Sequence, residues 1–160
     1  MNHTHTTKLQ FPLASHEIRL LAELGFMAAS SGQVATATEI FDALIRLRPT
    51  KAFPYVGKAV ALLFVGSIPA AIELLSTASQ LVETDQEQIW IYLALAFQRK
   101  GDLGKARKIL DYLLNSGELS EVDVIFAKAI LNSVKNAGLE QPQPFPVTAI
   151  ESDRSFAIVI

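Results

Sequence analysis

Histidines are the residues in this sequence best suited to metal or proton chemistry, but their positions do not indicate a site. His3 and His5 lie two residues apart near the N-terminus, with no cysteine or carboxylate close by, and His16 stands alone further on. A structural zinc site needs four nitrogen, sulfur or oxygen ligands, and the chain has no cysteine. We therefore expect no metal ion and no cofactor.

Motifs that bind phosphates or present a catalytic nucleophile are also missing. The sequence contains no P-loop, no G-x-G-x-x-G and no G-x-S-x-G. Because nothing in it pairs a nucleophile with a base, we expect that the protein is not an enzyme. Several carboxylates are instead interpreted as solvated helix ends and faces, namely Asp102, Asp111, Glu118, Glu121 and Asp123.

Basic residues cluster around one predicted turn, although the chain as a whole is slightly acidic. The formal net charge is -2 and the pI is near 5.9, so we expect no nucleic-acid partner. We interpret the cluster as solvent-facing charge near helix ends, with a site for an acidic partner as the alternative. It comprises Arg99, Lys100, Lys105, Arg107 and Lys108.

Glycine and alanine recur together at a regular spacing, which indicates a repeat protein. The pairs are Gly32 with Ala37, Gly66 with Ala71, and Gly101 with Ala106. Successive glycines are 34 and then 35 residues apart, and a period of about 34 residues is that of the tetratricopeptide repeat (TPR). In such a helix-turn-helix unit, the glycine ends the first helix in a left-handed conformation. The alanine lets the second helix cross the first closely.

Apolar residues around each glycine are predicted to fill the core of each repeat. In repeat three the set begins at Trp90 and continues with Leu93, Ala94 and Phe97 on the same helix face. The matching residues are Leu21, Leu24, Gly25, Ala28 and Phe41 in repeat one, and Tyr55, Ala59, Leu62 and Leu75 in repeat two.

A further helix is predicted after the third repeat. Ser120 opens it, with Asp123 three residues later as a cap-like partner, and Gly138 is expected to end it. One face of this helix is expected to pack on the third repeat and cover its core, while the opposite face is exposed to water. The apolar face consists of Val122, Ile125, Phe126, Ala129, Ile130 and Val134. At the other end of the chain, Ser15 is expected to cap the first helix.

The whole pattern resembles the TPR family over roughly residues 18–118. The predicted fold class is therefore all-α, a TPR solenoid of three helix-turn-helix repeats plus a C-terminal capping helix. We place the repeats at about 18–51, 52–86 and 87–119, the capping helix at 120–137, and the TPR domain at 15–137. Residues 1–14 are expected to be mobile. Residues 138–160 are expected to form a proline-rich extended tail with an apolar end.

The first helix of each repeat lines the concave side of a TPR stack, and its residue types predict an apolar groove. The predicted groove residues are Phe26, Phe53, Val56, Val60, Leu63, Phe64, Ile91 and Leu95, with Arg19, Gln98 and Arg99 as a polar rim. Soluble proteins rarely leave so large an apolar patch bare, so we expect an apolar segment of another protein as the partner. Two alternatives stay open: some of these residues are ordinary core, or the apolar tail fills the groove until a partner displaces it.

A finer resemblance lies in repeat two. The stretch Tyr55-Val56-Gly57-Lys58-Ala59, followed by Gly66 and Ala70-Ala71-Ile72, is similar to a stretch in the TPR chaperones of bacterial type III secretion. Those chaperones are small cytoplasmic proteins that hold apolar segments of translocator or needle subunits in a concave groove before export. Lys58 and Ala59 depart from the pattern of that family, which has Leu-Gly there.

The resemblance implies a cytoplasmic, non-catalytic chaperone for an apolar client, and it leaves a homodimer open. The alternative is a structural TPR scaffold subunit of a secretion system or other multiprotein assembly, which holds a partner through its convex face or tail. The sequence has no apolar run of the kind found in secretory signals. Its longest strongly apolar stretch, residues 59–65, is far too short to cross a bilayer, so we expect no membrane insertion.

Overall fold

The computed structural model describes residues 13–137, which form seven α-helices and no β-strand. The helices are α1 (Ser15–Ser30), α2 (Val34–Leu47), α3 (Ala52–Phe64), α4 (Ile68–Leu81), α5 (Gln86–Lys100), α6 (Leu103–Ser116) and α7 (Glu121–Asn136). Three helix pairs followed by one helix is the predicted order. The expectations for the first 12 residues, Gly138 and the tail lie outside the described residues.

The turn inside each pair has the conformation that the glycine spacing predicts. Gly32, Gly66 and Gly101 have φ angles of 75°, 73° and 87°, a region that side chains disfavour. The residue after each glycine donates its backbone N–H to a carbonyl five residues earlier, as from Gln33 to Ala28 at 2.8 Å, which satisfies the helix end. The three alanines of the repeat pattern, Ala37, Ala71 and Ala106, are completely buried, as predicted.

The helices form two layers of different continuity. In the inner layer, α1, α3, α5 and α7 contact one another in succession. In the outer layer, α2, α4 and α6 each pack between two inner helices, but within the described chain they do not contact one another. Since the inner helices are close together and the outer ones are spread apart, the stack curves towards the inner layer.

Contacts between linkers fix successive pairs against one another. The Tyr55 hydroxyl donates to the Pro49 carbonyl at 2.8 Å, and its burial raises the pKa of Tyr55. The linkers that precede α3 and α5 also touch, because the Glu83 N–H donates to the Thr50 carbonyl at 3.0 Å. These two bonds join the linkers of successive helix pairs.

Two residues assigned to the core by sequence are more exposed than predicted. Leu24 is 45% exposed, because among the described helices α1 packs only against α2 and α3, which leave this side chain partly uncovered. Trp90 is 37% exposed, because it lies at the open edge between α5 and α6. The remaining members of the predicted core sets are buried or half-buried.

The predicted cap of α7 is present, whereas that of α1 is not. The Ser120 hydroxyl accepts from the Asp123 N–H at 3.2 Å and donates to the Asp123 carboxylate at 2.7 Å. At α1, Ser15 is already the first helical residue and Ala14 is the cap. The Glu17 carboxylate accepts from the Ala14 N–H at 2.7 Å, so a first-turn acidic residue takes the place of a serine cap.

The buried face of α7 is rotated relative to the predicted one. Ile130 and Val134 are buried as expected, but Ala127 and Leu131 lie beside them in the core. Ile125, by contrast, is 70% exposed, and Val122 and Ala129 are also exposed. The cause is that α7 packs against both α5 and α6, which shifts its contact face away from the apolar stripe found by periodicity alone.

Candidate functional site

All eight predicted groove residues lie on the inner helices α1, α3 and α5, but they differ in exposure. The expectation that all of them face solvent is wrong for five, whose exposure is between 0% and 6%: Val56, Val60, Leu63, Ile91 and Leu95. Only the three phenylalanines, Phe26, Phe53 and Phe64, are half-buried and retain exposed surface.

Close packing of the inner layer explains this burial. Helices α3 and α5 carry many small residues, among them Gly57, Ala59, Ala94 and Ala96. Small side chains let neighbouring helices approach closely, and the five groove residues outside the phenylalanines belong to the shared core cluster that joins α3, α5 and α7. They therefore contribute to stability, and the surface left for a partner is shallower than the sequence predicts.

The three phenylalanines belong to α1 and α3, the inner helices of the first two repeats. Phe26 packs edge-on against Phe41, with ring centroids 5.1 Å apart. Phe53 lies against the cluster that contains Ile18 and Phe41, and Phe64 against the alanine cluster at the end of α1. Each ring is thus held on one side by the protein, while part of it stays accessible.

The middle inner helix presents no charge to the groove. Lys58 is the only lysine, arginine, aspartate or glutamate in α3, and its Nζ contacts the Asp42 carboxylate on the outer helix α2 at 2.6 Å. The pairing directs the single charge away from the inner side of α3. The pair explains how a lysine is accommodated at position 58, where the secretion chaperones that the sequence resembles have leucine.

The predicted rim residues have three different environments. Arg19 is exposed on α1. Gln98 instead donates from its amide to the Ser133 hydroxyl of α7 at 2.6 Å, so it joins α5 to α7. Arg99 is half-buried near the end of α5 and makes interactions within the protein.

Helix α7 forms a wall of the inner layer that sequence analysis treated only as a cap. Its Phe126 ring lies 5.4 Å from that of Tyr92 on α5. Burial raises the pKa of Tyr92 to about 12, and the charge of Asp123 contributes further. The polar Gln98–Ser133 pair is a second link of α5 to α7, which a search for apolar residues alone does not detect.

Two residues of the basic cluster are neutralised within helix α6 and its cap. Lys105 contacts the Asp102 carboxylate at 3.0 Å and lies over the Phe97 ring, while Arg107 contacts Asp111 at 3.4 Å. The hydrogen bond from the Lys105 side chain, together with that from its backbone N–H, lowers the pKa of Asp102. These contacts agree with the interpretation of surface charge near helix ends.

Residues 13–137 contain no group of three or more histidine and carboxylate residues that could hold a metal ion. Within the same range, no helix has the length and apolar character needed to cross a membrane.

Solved structures resemble this chain in fold, whereas sequence comparison finds no relative: no family model matches, and neither does any curated protein. PcrH from Pseudomonas aeruginosa superposes with a TM-score of 0.62 at 21% identity, over 77% of this chain and 95% of that one. Yersinia enterocolitica SycD, a type III secretion chaperone in complex with a peptide of the translocator YopD, gives 0.60 at 19%, over 78% and 97%.

A further solved TPR structure also matches. The first TPR of Spaghetti (RPAP3), bound to an HSP90 peptide, gives a TM-score of 0.59 at 15% identity, over 81% of this chain and 99% of that one. The class of fold is therefore confirmed as an all-α TPR solenoid. Within that class, the chain resembles the TPR chaperones of bacterial type III secretion.

Proposed function

We propose that this protein is a non-catalytic chaperone of the type III secretion class, which holds an apolar segment of a translocator or needle subunit against its inner layer. The client segment, an amphipathic helix or an extended chain, contacts the exposed parts of Phe26, Phe53 and Phe64. The buried groove residues, such as Val60 and Leu95, support this surface from beneath. Arg19 lies at its edge.

The observation that carries the proposal is the absence of charge on the inner side of α3. A groove for a peptide carboxylate needs cationic donors at its centre, and here the only cation of the central helix is paired with Asp42 on the outer side. An apolar client fits this surface without leaving a charge unpaired. The fold shared with chaperones solved in complex with translocator peptides supports the same class of client.

The mechanism follows from mass action and requires no nucleotide or metal ion. A translocator segment that is apolar on one face aggregates or enters membranes when it is free. Binding lowers the concentration of the free segment in proportion to the affinity and the amount of chaperone. On this proposal the protein acts in the cytoplasm, before export of its client.

Co-expression with translocator and needle subunits of the same genome tests the proposal. We expect the soluble fraction of one such subunit to rise severalfold. Phe53→Ser combined with Phe64→Ser should remove the effect, because both rings lie on the inner layer. Leu47→Ser combined with Leu81→Ser removes two exposed leucines of outer helices and should leave the effect unchanged.

Circular dichroism and melting temperatures must show that both double variants are folded. If the inner and outer variants rescue the client equally well, the inner layer is not the client site. If co-expression raises the soluble fraction of none of the translocator and needle subunits, the proposed class of client is wrong.

One observation favours the scaffold alternative as a second candidate. Leu20, Leu24 and Met27 follow one another along one face of α1, and they are 45–64% exposed. Such an apolar stripe suits a permanent partner or a second copy of the chain. Leu20→Gln combined with Met27→Gln should then abolish a stable assembly in analytical ultracentrifugation, whereas the inner-layer variant should retain it.

A further inference from the structure

A small pocket between the beginning of α5 and the end of α6 lies apart from the inner-layer surface. Its volume is about 110 Å³, well below the roughly 300 Å³ at which pockets for whole small molecules begin. The space therefore suits a single side-chain head group. Trp90 and Tyr112 form aromatic walls, while Glu87 and Glu118 bring two carboxylates to the lining.

Helix geometry brings these groups together. Glu87 and Trp90 are three residues apart on α5, so they lie on one face of that helix. On α6, Tyr112 and Leu113 face them across the pocket. Gly117, with a φ of 74°, then ends α6 and turns the chain, and Glu118 follows directly in the pocket lining.

Two other polar side chains of the lining, Gln86 and Ser116, already have partners. The Gln86 amide donates to the Val82 carbonyl at 2.8 Å, and the Ser116 hydroxyl donates to the Leu113 carbonyl at 2.8 Å. Neither Glu87 nor Glu118 takes part in an ion pair with a described residue, and no lysine or arginine lines the pocket. The lining therefore offers two carboxylates, from Glu87 and Glu118, beside two aromatic side chains.

We propose that this pocket binds the cationic head group of an arginine side chain presented by a partner polypeptide. A guanidinium stacks on aromatic rings and donates to carboxylates from the edge of the same plane. Trp90 supplies the stacking face, and Glu87 and Glu118 supply the acceptors. Stacking on a guanidinium would give the partly exposed Trp90 a role other than core packing. The pocket is separate from the apolar client surface of the inner layer.

The chain contains a single tryptophan, so its indole N–H gives one NMR signal that reports on the pocket. The full-length, ¹⁵N-labelled protein is titrated with the peptide acetyl-Ala-Arg-Ala-amide, and with matched peptides that carry lysine or the neutral isostere citrulline. We expect the arginine peptide to shift the Trp90 signal saturably with a Kd in the millimolar range. The lysine peptide should bind more weakly, and the citrulline peptide should not saturate the signal.

Substitution of the carboxylates provides the second part of the test. Glu87→Gln combined with Glu118→Gln should weaken binding of the arginine peptide by roughly fivefold or more. Glu39→Gln combined with Glu73→Gln removes two exposed carboxylates of α2 and α4 and should leave the Kd unchanged. Both pairs retain the shape of the side chains, and their melting temperatures check the fold.

Equal shifts by the arginine and citrulline peptides would overturn the proposal, as would an unchanged Kd in the Glu87→Gln, Glu118→Gln variant. Binding of the lysine peptide as tightly as the arginine peptide would refute the assignment of a planar guanidinium to the aromatic walls. None of these results depends on whether an apolar client binds the inner layer.

Discussion

The phenyl ring of Phe41 lies directly against the backbone of Gly57, so at this point α2 and α3 meet with no side chain between the ring and the α3 backbone. A Cβ atom on Gly57 would overlap the ring, and one on Gly25 of α1 would lie only 2.8 Å from the ring's Cζ atom. Phe41 itself is completely buried. One ring on α2 therefore occupies a slot formed by two glycines on two successive inner helices.

Gly57→Ala should destabilise the protein although alanine favours helices. The added methyl group forces the Phe41 ring to move, which costs about 1–3 kcal/mol. Urea denaturation measures the free energy of unfolding. The matched control is Gly104→Ala in α6, where a Cβ meets no atom within 4 Å, and which should stabilise the protein by roughly 0.5–1 kcal/mol.

A double-mutant cycle tests whether the ring is the cause. Phe41→Leu should cost less in the Gly57→Ala background than in the wild type, because a smaller side chain leaves room for the new methyl group. Additive effects of the two substitutions would show that Gly57 is needed for another reason.

The Lys58–Asp42 ion pair should make a small, salt-sensitive contribution to stability. Its two side chains are 22% and 38% exposed, so solvent screens much of the attraction. A cycle of Lys58→Met, Asp42→Asn and the double variant should give a coupling free energy of about 0.5–1 kcal/mol. The coupling should fall in about 1 M NaCl, and a value that salt leaves unchanged would argue against an electrostatic origin.

Two serines at helix starts should differ in their effect on stability. Ser120→Ala removes the cap of α7 and should cost about 1 kcal/mol, measured as a lower free energy of unfolding. Ser15→Ala should have almost no effect, since the Ser15 side chain makes no capping bond. Equal losses for both variants would contradict the assignment of Ala14 and Glu17 to the start of α1.

Tyr92 should make stability fall at alkaline pH. Its folded-state pKa is about 12, above the ordinary value of about 10, so the stabilisation is complete below pH 10 and is lost as pH rises towards 12. The unfolded chain releases the proton first in this window, which lowers the free energy of unfolding by up to about 2–3 kcal/mol.

The variant Tyr92→Phe isolates this contribution from the titration of lysines, which all variants share. Between pH 9 and about 11.5, its stability should fall less steeply than that of the wild type. If the stability of Tyr92→Phe fell as steeply with rising pH as that of the wild type, the predicted burial of the Tyr92 hydroxyl would be refuted.

Features that depend on local backbone chemistry could be predicted from the sequence. Gly32, Gly66 and Gly101 adopt left-handed φ angles because only glycine does so without strain, and the period of these turns indicates the repeat architecture. Pairing of Ser120 with Asp123 is likewise local, since both residues lie within one turn of α7.

The solvent exposure of apolar side chains on the inner helices could not be predicted from local sequence. Periodicity places Val60, Ile91 and Leu95 on the inner side of their helices, but their burial depends on how closely α3, α5 and α7 approach. That distance is set by small residues on several helices together, and by pairs such as Gln98 with Ser133 that are far apart in sequence. The buried face of α7 was mispredicted for the same reason.

The sequence by itself determined the order of the helices, the turns between them and the crossing alanines, because glycine conformation and side-chain size act over a few residues. Only the tertiary structure decided which apolar side chains stay accessible, that Phe41 fits between two glycines, and that Trp90 borders a pocket with two glutamates. Those relationships depend on distances between helices, which no single segment encodes.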